Sequence, residues 1–192
     1  YNSTPGCPAV SGYGIYLDNS SGFAIEENTF TKMSNAPVAN YTGIQVNNSL
    51  DQDDIYKNSF TGLSFGNYAH RQNWTTNAGI GLEYLCNTNQ ANWADFYIPL
   101  PQVNENTIQT WQGNTLTSAG NTFSQSNNTW HFYNEGGIPL TYFYNGSSPL
   151  EPDGSKLWRV TKTASNSANQ CPSHYGGNDT VSSIVLDVQD KL

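Results

Sequence analysis

Along the first ninety residues the hydrophobic positions fall two apart in short bursts, separated by turns rich in Asn, Ser and Gly. "GIYLDNSSGFAIEENTF" (residues 14–30) holds two such bursts and closes on Asn28, Thr29 and Phe30. "DDIYKNSF" closes the same way on Asn58, Ser59 and Phe60. Alternation of this kind predicts short half-buried strands, and the intervals lack the periodicity and the residues of a helix.

The bursts recur. "GIYL" begins at Gly14, "GIQV" at Gly43 and "GIGL" at Gly79, in steps of 29 and 36 residues, and Asn28 and Asn58 lie 30 apart. A later "GNTF" sets Asn121 and Phe123 in the same relation, and "GNTL" at Gly113 is a weaker copy. Each unit reads Gly, a strand, a polar turn, a second strand, then Asn-Thr/Ser-Phe. Strands this short cannot bury a face alone, and stacking unit on unit solves that problem, as in a parallel β-helix. Stacking would set Ile15, Ile44 and Ile80 above one another, with Leu17, Val46 and Leu82 beside them and Phe30 on Phe60 at a corner. Asn28 and Asn58 would form a ladder, about 5 Å between equivalent backbones. Asn suits such corners because it tolerates left-handed backbone angles and its amide bonds neighbouring backbone groups. That gives the 25 Asn a purpose.

The long third step predicts a bulging loop over Tyr68–Asn77, "YAHRQNWTTN". Beyond Cys86 the pattern loosens. "NTWHFYNEGGIPLTYFYNG" reads as two aromatic strands, with strict alternation placing Trp130 and Phe132 on one face and His131 and Tyr133 on the other. "KLWRVTK" reads as another. The expectation is an all-β solenoid forming one domain over 1–192, its repeats clearest in 12–90, with irregular coils and an edge over 91–192. The chain opens without Met and stops just after an apolar pattern, so it is expected to be a mature product or an excerpt of a longer protein.

Charge narrows the partners. A formal charge of -8 with only seven basic residues disfavours nucleic acid and anionic membranes. No apolar run is long enough to span a bilayer. Cys7, Cys86 and Cys171 cannot all pair internally; Cys86 in "GLEYLCN" reads as a buried thiol, and Cys7 with Cys171 as the pair if one exists.

Taken together, "GIYLDNS…IEENTF", "GIQVNNS…IYKNSF", "GIGLEYLCN", "GNTFS", "HFYN" and "TYFYNGSSP" resemble the secreted right-handed parallel β-helix proteins of Bacteroidetes. The resemblance spans roughly Gly12 to Cys171. It implies a right-handed helix, an extracellular or cell-surface location, a longer parent chain and export by the type 9 secretion route, although the sorting domain typical of that route is absent. Many proteins of that kind have no known activity.

Candidate chemistry is sparse. Asp51, Asp53 and Asp54 offer hard oxygen ligands for Ca2+, but without the full spacing of a calcium loop, and a solvated turn reads better. No other cofactor is expected. His70 and Arg71 are the best base and carboxylate clamp for a lyase, with ordinary loop surface as the competing reading. Trp74, Trp130 and Tyr133 supply flat rings for stacking on sugars or proteins, with core and edge cover as the alternative. Sequons at Asn47 and Asn73 are expected by chance in so Asn-rich a chain. These features favour a non-catalytic surface module for adhesion, glycan contact or structural support. An extracellular polysaccharide lyase or glycoside hydrolase is the alternative, and a self-assembling subunit, stacking end to end, the third.

Overall fold

A computed structural model describes residues 12–33, 40–75, 80–100, 107–127 and 129–174. The first pass of the chain lays down β1 (Gly12–Asp18), β2 (Ala24–Glu26) and β3 (Thr29–Thr31). The second gives β4 (Tyr41–Asn47), β5 (Asp53–Tyr56) and β6 (Ser59–Thr61). The third gives β7 (Phe65–His70), β8 (Trp74–Thr75), β9 (Ile80–Leu85) and β10 (Thr88–Gln90). Then come β11 (Ala94–Ile98), β12 (Trp111–Gln112), β13 (Trp130–Asn134), β14 (Leu140–Tyr144), β15 (Leu157–Trp158) and β16 (Val160–Ala164). The helical content of the described residues is one 3-10 turn, Gly154–Lys156. None of their helices is long and apolar enough to cross a membrane.

The first three passes each contribute to three sheets, and the later strands to two. Sheet I has the order β1-β4-β7-β11-β13-β15, sheet II β2-β5-β9-β8, sheet III β10-β6-β3 and sheet IV β12-β14-β16. Every pairing is parallel except β8 with β9. Sheet IV extends the line of sheet II, since Gln109 N–H donates to Leu82 O and Gln112 Oε1 accepts from Tyr84 N–H at 2.7 Å. Between the sheets lies a core of Ile44, Val46, Ile55, Phe60, Leu82, Tyr84, Phe96 and Phe132.

The first two units stack as their pattern predicts. Ile15 pairs with Ile44 and Leu17 with Val46. Phe30 pairs with Phe60, ring centroids 5.2 Å apart and 7° from parallel. Asn58 Oδ1 accepts from the backbone N–H of Asn28 at 2.9 Å and from its amide at 3.1 Å. Asn87 and Asn121 continue the ladder, each accepting from the backbone N–H of the Asn below it.

The third unit departs from expectation. Ile44 pairs with Asn67, and Val46 with Ala69, so the strand above β4 is "FGNYAH". Ile80–Leu82 of "GIGL" belong to sheet II, where Leu82 pairs with Asp53, and Ile80 stacks on neither Ile15 nor Ile44. A buried Asn67, its amide donating to Asp95 O, hid the strand behind a polar residue. Within the span expected to bulge as a loop, Tyr68–His70 end β7 and Trp74–Thr75 form β8, so these positions are strand, while residues 76 and 77 lie outside the described residues.

The ladder Asn also differs in its backbone. The left-handed angles belong to the residue before each of them: Glu27 (φ 59), Lys57 (φ 55), Cys86 (φ 59) and Gly120 (φ 75). The asparagines themselves serve through their amides, bridging one pass to the next. At this same corner Cys86 is bonded to Cys171, which corrects the expectation of a free Cys86; Cys7 lies outside the described residues. Residues 165–174 run back over earlier passes as a strap. Ser167 N–H donates to Leu116 O, Cys171 is tied at Cys86, Tyr56 Oη donates to Pro172 O, and His174 N–H donates to Glu26 Oε1.

Candidate functional site

Sheet I turns a regular set of rings outward. At one position in every long strand the pairing lapses, namely Gly14, Gly43, Gly66, Asp95 and His131. The chain kinks there, so two consecutive residues face inward and the outward positions fall three apart. His131 and Phe132 are both buried, while Trp130 and Tyr133 stand together on the outside with centroids 4.7 Å apart. Strict alternation therefore misplaces them. The kink breaks the period of two.

The outward positions carry Tyr13 and Tyr16 from β1, Phe65 and Tyr68 from β7, Tyr97 from β11, Trp130 and Tyr133 from β13, and Trp158 from β15. Trp93, just before β11, leans on Phe65 and Tyr133 nearly at right angles. Phe65 stacks on Tyr97 at 4.7 Å, and Tyr97 on Tyr133 at 5.7 Å. The stacked faces satisfy one another. What remains open lies at the flank and ends, where Tyr13, Tyr16, Trp93 and Trp158 are each 45–50% exposed.

Polar groups line the rim. Glu135 accepts from Tyr97 Oη at 2.9 Å and from Tyr133 Oη at 3.3 Å. Burial and that bond to Glu135 push the Tyr97 phenol above its ordinary range. Asn47 donates to Tyr16 Oη at 2.7 Å and accepts from Gln45. His70 closes β7 in register with Asn47, its ring 6.2 Å from Tyr68, and burial together with Arg71 lowers its pKa.

Of the residues singled out from sequence, the structure brings Trp130, Tyr133 and His70 to this face. Arg71 follows at the left-handed corner (φ 62), its carbonyl accepting from Thr107 N–H. Trp74 is elsewhere: in β8 it lies half-buried against Gly81, in sheet II. The acidic triplet splits apart. Asp51 stays in the turn, bonding Gln52 N–H; Asp53 is fully buried, accepting from Phe23 N–H and Ser49 Oγ; Asp54 points out from sheet II. Among the described residues no three His, Cys, Asp or Glu side chains are arranged to hold a metal ion. The sequon residues Asn47 and Asn73 are buried and bonded to backbone or side chains, so neither amide presents itself for modification. Sequence reasoning missed Tyr13, Tyr16, Phe65, Tyr68, Trp93, Tyr97 and Trp158. The available signal was a recurring pair of aromatics three apart, as in "YGIY", "FGNY" and "WHFY".

Other clusters are spoken for. Around a cavity of about 300 Å³, His131, Glu151, Asp153, Lys156 and Lys162 come together. His131 Nδ1 accepts from Asp153 N–H, so Nε2 carries the proton and donates to Ser124 O; burial holds this ring neutral, with a pKa of about 4. Lys162 pairs with Glu151 at 2.6 Å and Lys156 donates to Ser126 O. A larger cavity, about 690 Å³, opens at the edge of the first pass beside Phe30, Met33, Tyr41 and Leu63, and among the described residues no carboxylate or His lines it.

Outside sheet II, Asp54 and Glu83 are register partners on neighbouring strands. Burial, then the charge of Asp54, pushes Glu83 up to about 7, and burial also raises Asp54. The ring of His174 stacks on Tyr56 beside them at 4.1 Å. No family model, curated protein or solved structure matches this chain.

Proposed function

We propose that this chain is a secreted or cell-surface, non-catalytic glycan-binding module, built as a right-handed parallel β-helix of the kind its motifs resemble. The observation that carries the binding role is the outward face of sheet I. Flat rings with open faces, edged by phenol hydroxyls and one carboxylate, suit the C–H faces and hydroxyl rims of sugars. The rotation of the chain through sheets I, II and III, with mostly parallel register, supports the β-helix. The disulfide between Cys86 and Cys171 supports an oxidising compartment.

Affinity electrophoresis through gels containing neutral polysaccharides tests this reading. The wild type should be retarded, and Trp93→Ala with Trp130→Ala should run freely while melting within a few degrees of it. Equal mobility of wild type and variant in every gel rejects the site.

A hydrolase is the second reading, resting on Asp54 and Glu83. Two carboxylates on register partners of neighbouring strands, one with its pKa pushed up to about 7, are the parts of a general acid and its partner. Release of reducing sugar that Glu83→Gln abolishes would favour it over simple binding.

A further inference from the structure

We infer that the face on sheet I takes a linear, uncharged polysaccharide lying across the strands, held at several successive sugar rings. The inference rests on the glycan-binding reading and names the class of glycan. Length is the first observation. In register order Tyr16, Gln45, Tyr68, Tyr97, Tyr133 and Trp158 form one column that crosses all six strands of the sheet. At strand spacing the column runs about 24 Å, far longer than one sugar ring needs. The open rings are distributed along it: Tyr13 and Tyr16 at one end, Trp93 midway and Trp158 at the other.

Charge is the second. The six strands of sheet I contain no Lys or Arg. The acidic groups nearest the column, Asp18 and Glu135, lie at its rim, and Glu135 is tied to Tyr97 and Tyr133. Arg159, at the corner after β15, spends its guanidinium on the carbonyls of Gly136 and Gly137. A uronate or sulfated chain would bring its charges to strands that carry no Lys or Arg, with Arg71 beside His70 and Lys156 beside Trp130 only at the flanks, on a protein of net charge -8. A neutral chain brings only hydroxyls, which the exposed phenols of Tyr13 and Tyr16 and the carboxylate of Glu135 can meet.

Calorimetric titration of the whole chain with two oligosaccharide series, from disaccharide to hexasaccharide, tests this: neutral β-linked glucose and xylose oligomers, and galacturonate oligomers. Affinity for one neutral series should rise by about two- to tenfold for each further ring engaged, and galacturonates should bind at least about tenfold more weakly at low salt. Trp158→Ala and Tyr16→Ala, at opposite ends, should each weaken the hexasaccharide several-fold and leave the disaccharide unchanged. Neutral binding that does not grow with length overturns the extended site, and equal or tighter galacturonate binding overturns the charge argument; both leave a glycan-binding face standing. Absence of binding in both series overturns the inference together with the reading beneath it.

Discussion

At the scale of the residue, the structure rests on side-chain amides that do the work of backbone. Asn58 is 1% exposed and satisfies the pass before it and its own: its amide N–H groups donate to Ile25 O and Tyr56 O, and its oxygen accepts from Asn28. Asn58→Ala would leave these groups buried without partners, and a loss of roughly 3 kcal/mol or more is expected in urea unfolding. Asn58→Asp should be worse. It keeps the acceptor but meets two carbonyls with no donor and buries a charge. If the Asp variant is as stable as wild type, the ladder does not work through donation.

Glu83 gives a pH dependence at the same scale. Its ordinary value is 4.5 and its folded value about 7, so folding favours the protonated form. The stabilisation is full below about pH 4.5 and is lost as pH rises through about 7, a span on the order of 3 kcal/mol. Glu83→Gln removes this titration. The variant should gain stability relative to wild type at pH 8 and not at pH 4, measured by thermal melts across that range. A constant difference between the two would mean that Glu83 titrates normally.

At the scale of the element, glycine and phenylalanine are coupled within each of the first two passes. A Cβ on Gly14 would lie 2.4 Å from Phe30, and one on Gly43 would lie 2.5 Å from Phe60 and 2.6 Å from Gly66 O. The ring that ends each early unit fills the space that the glycine at its start leaves open. In the third pass Asn89 replaces the ring, and in the fourth Asp95 replaces the glycine and binds Ser124 instead. Gly43→Ala should therefore cost about 1–3 kcal/mol. Trimming Phe60 should not restore it, because the backbone oxygen of Gly66 remains. Recovery in a Gly43→Ala/Phe60→Leu double variant would show that the ring alone sets the limit.

At the scale of the molecule, the strap of residues 165–174 ties late passes to early ones, and its covalent point is Cys86–Cys171. The bond closes a loop across 85 positions of sequence, which in the chain-entropy model is worth roughly 4–5 kcal/mol. The Cys86→Ser/Cys171→Ser variant should unfold at markedly lower denaturant, and reductant should shift the wild type toward it. Unchanged melting under reductant would make the strap a passenger on a sheet stack stable without it.

The sequence by itself determined the short-strand, all-β character, the Asn28–Asn58 ladder and the Phe30–Phe60 stack. Each is written as local pattern repeated at nearly constant spacing, and repetition survives reading in one dimension. Only the tertiary structure decided which strand lies above β4, which cysteine meets Cys171, and which rings share a face. "GIGL" mimics the start of a unit, while the true strand hides a buried Asn67 whose polarity is paid for by a carbonyl one pass away. Cys86 meets Cys171 because the strap returns across the stack, a path no spacing encodes. Trp130 and Tyr133 join the aromatic face because the chain kinks at His131, so the period of two that labels strand faces fails there. Alternation is a property of a straight strand; facing is a property of the bend and of what packs inside it.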